Sequence, residues 1–150
     1  MKYIFDKEVN EEMLARIDSL SNESQAKWGK MNAAQVLAHC NVAYEMALTE
    51  KYPKAKGLKR WLLSKTVKNI VVGEKPYKRN SRTAPEFIVA DERVFNDEKQ
   101  KIVDNIKKVF SLGESHFDGK ESTSFGPLTK KEWSNLFYKH LNHHLEQFGA

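Results

Sequence analysis

Three histidines stand within five residues near the C-terminal end of the chain, in "YKHLNHHLEQF" at 138–148, and a fourth, His39, stands in "AAQVLAHCNVAYEMALTE". Imidazole can ligate a metal, carry a proton near neutral pH or simply decorate a surface, and spacing separates these roles. Successive helical residues are about 100° apart, so with His140 at zero Trp133 falls at about 20°, His144 at about 40°, Phe137 at about 60° and Phe148 at about 80°. His140 and His144 therefore lie inside an apolar stripe that must face the core. His143 falls at about −60°, on the edge of that stripe.

An imidazole on an apolar face costs free energy unless its nitrogens are satisfied. A single buried one usually finds a carbonyl or a hydroxyl. Two at i and i+4, with Cβ atoms about 5–6 Å apart, can converge on one ion. On its own helix His39 lies beside Val36, Ala43 and Met46, so it is a third inward histidine. Two readings stay open on these grounds: a metal site with His39 as third ligand, or buried histidines satisfied within the protein. Three imidazoles would leave an open position on a four-coordinate ion.

Other chemistry is weaker. Cys40 neighbours His39, but adjacent helical positions point about 100° apart, so the two form no nucleophile pair. Cys40 reads as a small buried apolar residue. It is the only cysteine, which excludes an internal disulfide framework and makes a reducing cytoplasm the expected compartment. The start, "MKYIFDKEVNEE", is too acidic and too poor in apolar residues for a signal peptide. His116, in "GESHFDGKEST", is expected in solvent. Trp28, Trp61 and Trp133 are expected in the core or a pocket wall, and nothing places Tyr44 or Tyr138 at a site.

The elements that would position the histidines are helices. Met13, Leu14, Ile17 and Leu20 recur at helical spacing after a start at Asp6 or Asn10. Asn32 and Gln35 form a capping box for a second helix, with Met31 and Val36 as its staple. That helix is apolar over much of its circumference and should be central. Leu58, Trp61, Leu62, Val67, Ile70 and Val71 predict a third helix over 58–72, ending at Gly73. The stretch "GEKPYKRNSRTAPEFIVADERVF" has no helical period and reads as a long crossing connection, extended around Phe87 to Val89. A connection of this length in a compact domain is often functional. Asn96 or Asp97 should cap a helix that places Ile102, Val103, Ile106, Val109 and Phe110 on one face and stops at Gly113. Thr129 and Glu132 box the start of the last helix, with Leu128 and Trp133 as staple. One all-α domain over 1–150, a four-helix bundle with a long crossing connection, is the expected fold.

Charge is uneven. Residues 51–82 hold 11 Lys/Arg against one acid, Glu74, while the whole chain is only +5. Such an excess is usually a solvated face, although it attracts anions through its field. No run approaches the roughly 18 apolar residues a membrane span needs. No nucleic-acid reading motif accompanies the charge.

"WGKMNAAQVLAHCN" at 28–41 and "FGPLTKKEWSNLFYKHLNHHLEQFG" at 125–149 resemble the DinB-like family of metalloenzymes, in particular its branch known as domain of unknown function 1569. Nearly the whole chain is covered, the middle in pattern only. The resemblance implies a four-helix bundle in which one histidine of the second helix and an H-x-x-x-H pair of the last bind a divalent ion. Those positions are His39, His140 and His144. His143 corresponds to an extra histidine before the last ligand in many relatives. Many relatives also follow the final histidine with Arg-Gly-Gln, whereas "LEQ" here keeps Gln147 and lacks the arginine. Better-characterised relatives use the metal to activate a low-molecular-weight thiol for transfer to an electrophile. The implied protein is a metal-dependent transferase or hydrolase acting on a small molecule, a thiol or an anion. Zinc suits three histidines, and nickel and iron are chemically allowed. The alternative is a non-catalytic metal-binding or sensing bundle. No specific nucleic acid and no membrane are expected as partners, and a homodimer is allowed.

Overall fold

Two helix starts are written into four-residue motifs. In the computed structural model, which describes residues 1–150, the Asn32 side chain accepts from the Gln35 amide and the Gln35 side chain accepts from the Asn32 amide. This box opens α2, Ala33–Leu48. Thr129 and Glu132 repeat the arrangement at the start of α7, Lys130–Phe148. Each box satisfies amide groups that the helix leaves bare, and losing such a cap costs about 1 kcal/mol. The two helices that carry the histidines thus have fixed starting points, and so fixed faces.

The other starts depend less on side chains. α1, Lys7–Asp18, follows Asp6, whose side chain makes no capping bond; Asn10 is buried inside the helix. α5, Phe95–Leu112, begins after Val94, ahead of the caps expected at Asn96 or Asp97. Asp97 and Glu98 instead occupy its first turn, where carboxylates complement the helix dipole. α5 stops at Gly113, which takes a φ of +74°.

The helix expected over 58–72 is two helices: α3, Gly57–Thr66, and α4, Lys68–Val72, broken at Val67. The two pieces have different supports. α3 leans on the small antiparallel pair β1, Glu121–Ser122, and β2, Gly126–Pro127, through Arg60 with Glu121 and the Ser64 hydroxyl donating to the Phe125 carbonyl. α4 turns Val72 into the core. One straight helix could not reach both. Neither the strands nor the one-turn α6, Glu114–Phe117, was foreseen from periodicity. The connection after α4 holds a 3-10 turn at Pro85–Phe87, so of the stretch expected to be extended Phe87 belongs to the turn, while Ile88 is extended. Pro85 at the head of that turn supplies the required φ without sacrificing a donor.

The chain is mostly helical, with this two-residue strand pair as the exception to an all-α reading. α2 packs on α5 and α7, and α1 on the same two. α2 buries 13 of its 16 residues, the central position expected of it. Tyr44 stacks on Phe137 with ring centroids 4.9 Å apart, and Trp133 stacks on Phe137 from the other side of the turn. Cys40 is buried among them. Trp133 is core and Trp28 half-buried, but Trp61 is exposed, contrary to expectation. No helix is long and apolar enough to cross a membrane.

Candidate metal centre

His39 on α2 and His140 and His144 on α7 meet where the two helices pack. One ring nitrogen from each lies within 4.8 Å of the others, and His39 Nε2 is 3.0 Å from His140 Nε2. His39 and His144 have ring centroids 4.5 Å apart, and His140 and His144 5.0 Å. The i, i+4 spacing places the α7 pair one above the other on the face that meets α2.

The outer nitrogens explain how the rings are held. His39 Nδ1 donates to the Phe87 carbonyl at 2.8 Å, leaving its Nε2 lone pair turned inward. His144 Nδ1 donates to Gln147 Oε1 at 2.8 Å. Gln147 is itself oriented, because its amide Nε2 donates to the Trp28 carbonyl. A ring N–H bound to a carbonyl or amide oxygen is the usual support of a metal-ligating histidine, since it fixes the tautomer and the ring plane. His140 differs: its Nδ1 is buried with no partner.

Burial keeps all three rings neutral. It pushes the His140 pKa well below the ordinary imidazole value, and the neighbouring His144 and His39 push it the same way. His144 is lowered to about 3, again by burial first and His39 second, against a raising hydrogen bond from Gln147. His39 is lowered by burial, offset in part by its bond to Phe87. No carboxylate belongs to the group. Three neutral nitrogens with inward lone pairs and one orphaned buried nitrogen fit a divalent cation better than they fit one another. The group could hold such an ion.

His143 lies outside the group, as its helical angle required. Its ring stands edge-on between Trp28, 5.8 Å away, and Tyr77, 5.7 Å away. Arg79 lays its guanidinium over the Trp28 ring at 4.2 Å. Tyr77 and Arg79 come from the crossing connection, whose start is anchored by α7. Lys139 Nζ donates to the Ile70 and Gly73 carbonyls, and Asn135 Nδ2 to the Val72 carbonyl. These i, i+4 side chains satisfy the bare end of α4 and so aim the chain that follows toward His143. With no anion beside it, burial lowers the Lys139 pKa to about 8.

Sequence reasoning missed the Phe87 carbonyl, Tyr77, Arg79 and Lys139. For Phe87, Tyr77 and Arg79 the only signal was the length of the connection, and Lys139, on α7, had none. His116 is exposed beside Lys120, as expected. Tyr44 faces the core, and Tyr138 donates to Asn142.

The family described as "Protein of unknown function (DUF1569)" matches residues 5–150. The chain belongs to that family. No curated protein and no solved structure matches it. In this DUF1569 protein the matched span contains α2, α7 and the connection between their partners, so all three histidines and their supports fall within the family's own domain.

Proposed function

We propose that this DUF1569 protein is a metal-dependent enzyme on a DinB-like four-helix bundle, with His39, His140 and His144 as the ligands of one divalent ion. The observation that carries this is the trio of neutral ring nitrogens within 4.8 Å of one another, two of them turned inward by bonds to Phe87 and Gln147. Zinc suits three imidazoles with one open position, and nickel and iron are allowed by the same donors. When bound, such an ion eases deprotonation of a thiol or a water.

The remaining residues support a small, anionic substrate. Arg79, stacked on Trp28, brings a cation to the rim beside His143 and makes no ion pair with the Glu146 that shares that rim. Tyr77 and Trp28 wall the rim with rings, so a bound group would exchange water for apolar surface and one fixed charge. Transfer of a low-molecular-weight thiol to an electrophile, or hydrolysis, is the reaction this supports, in the cytoplasm that the single Cys40 suggests. A second reading, a sensing or structural metal site without chemistry, draws on the lack of a carboxylate beside the imidazoles.

Elemental analysis of protein purified without an affinity tag should find one divalent ion per chain. Incubation of the loaded protein with an electrophile and a panel of low-molecular-weight thiols should then show metal-dependent consumption of one thiol. Stoichiometric metal with no consumption across thiols and activated esters selects the sensing reading.

A further inference from the structure

α3 is turned inside out. None of its residues is buried, yet it carries Leu58, Trp61, Leu62 and Leu63. With Leu58 at zero, Lys65 falls at about −20°, Leu62 at about 40° and Trp61 at about −60°, while Leu63 and Ser64 fall on the far side at about 140° and −120°. The far side is the one that leans on the β1–β2 pair. The richer apolar face therefore points to solvent: Leu58 is 77% exposed, Trp61 58% and Leu62 53%. Ile70 on α4 is exposed as well, at 62%.

Cations frame it. Lys56, Lys59, Arg60 and Lys65 are exposed on or beside α3, and no acid occurs between residues 51 and 73. A helix with Trp and Leu on one face and Lys/Arg around it has the composition of one that lies in a lipid interface, its apolar side chains among the acyl chains and its cations at the headgroups. We propose that α3, with Ile70, docks this protein onto an anionic bilayer surface. The earlier expectation of no membrane partner rested on the lack of a spanning segment, and peripheral docking needs none.

The charge pattern selects this occupant. A second copy seated on the same face would set this excess of cations against itself, and like charges at an interface oppose association. Nucleic acid would satisfy the cations but leave three aliphatic side chains and an indole without partners. An anionic lipid surface meets both halves of the pattern.

Flotation with vesicles of phosphatidylcholine alone and of an equal mixture with phosphatidylglycerol tests it, using the full chain at low and physiological salt. Binding is expected to the mixed vesicles only, weakening as salt screens the surface. Tryptophan emission should shift to the blue on binding, and Trp61→Phe should abolish the shift, because Trp133 is already buried and Trp28 is packed between His143 and Arg79 at the histidine rim. Replacing Lys56, Lys59 and Lys65 together by Gln should weaken binding by more than about tenfold. Replacing Leu58, Trp61 and Leu62 together by Ser should do the same. These positions bury nothing, so circular dichroism should stay native in both variants. Four outcomes would overturn the proposal: no flotation, equal flotation with neutral vesicles, variants that bind like the parent, or duplex DNA displacing the vesicles at physiological salt. Concentration-dependent dimerisation that shifts Trp61 emission without vesicles would assign the face to a second copy instead.

Discussion

α7 and α3 are written in similar letters, with aromatic, leucine and basic residues at helical spacing, and they fold to opposite effect. α7 turns its stripe inward and sets His140 and His144 against α2; α3 turns its stripe outward and buries nothing. What differs is the neighbourhood. α7 starts from a capping box that fixes its angle and has α2, α4 and α1 to pack on. α3 has no side-chain cap and leans on Glu121 of β1 and on Phe125 in the turn between the strands. Amphipathicity says that a face wants cover, and only the surrounding fold says whether this chain provides it.

A pair of identical substitutions brackets that contrast. At the upper end, Leu141→Ala on α7 removes a fully buried side chain and should cost about 2–5 kcal/mol in chemical denaturation. The histidine cluster comes next. His140→Ala and His144→Ala should abolish stoichiometric metal together with the stabilisation it gives, about 2.7 kcal/mol when the ion is at 100 times its dissociation constant. His39→Ala should weaken both strongly, while His143→Ala leaves them nearly intact. A His143→Ala variant that lost the ion while His140→Ala kept it would reverse the facing assigned to α7.

Acid should reach the same cluster without mutation. The unfolded chain protonates imidazole at the ordinary value of about 6.5, whereas folded His144 resists until about 3. The unfolded state therefore binds more protons between those limits, and stability is full above the upper one and lost progressively as pH falls toward the lower. Melting temperatures of metal-free protein at pH 7 and pH 5 would check the sign, with His144→Ala showing a smaller drop. Gln147→Ala frees the His144 ring and should weaken metal affinity by roughly 10–100-fold in a competition titration. Last comes Leu58→Ala, whose cost should stay within about 0.5 kcal/mol despite the chemistry it shares with Leu141→Ala. A larger cost would mean that α3 is covered in solution.

Legibility in the sequence followed the same divide. The boxes at Asn32 and Thr129 are local hydrogen bonds among neighbours, so the text of the chain contains them whole. Once those starts are known, helical angles alone place His39, His140 and His144 inward and His143 at the edge. The break at Val67 was not readable, because Leu58 to Val71 keep a helical spacing across it, and the two halves have supports far apart in sequence, the strand pair for α3 and α7 for α4. Trp61 was assigned to core or pocket wall for the same reason. Phe87 could not be found at all, since its contribution is a main-chain oxygen delivered by a turn 48 residues from the ring it binds. Arg79 and Tyr77 reach the rim through α4's anchoring by Asn135 and Lys139, a long-range contact with no local signature.

The Phe87 carbonyl carries a consequence for how this protein tolerates change. Because the oxygen that orients His39 belongs to the backbone, any amino acid at position 87 that keeps the turn supplies it, while the Phe87 ring packs separately against His39 and His140. The His39 tautomer is guarded by chain length rather than by residue identity. Removing or adding one residue between Gly73 and Pro85 would slide the carbonyl away from Nδ1. The connection is thus free to drift in composition, and with it the rim chemistry at Tyr77 and Arg79, as long as its count of residues holds.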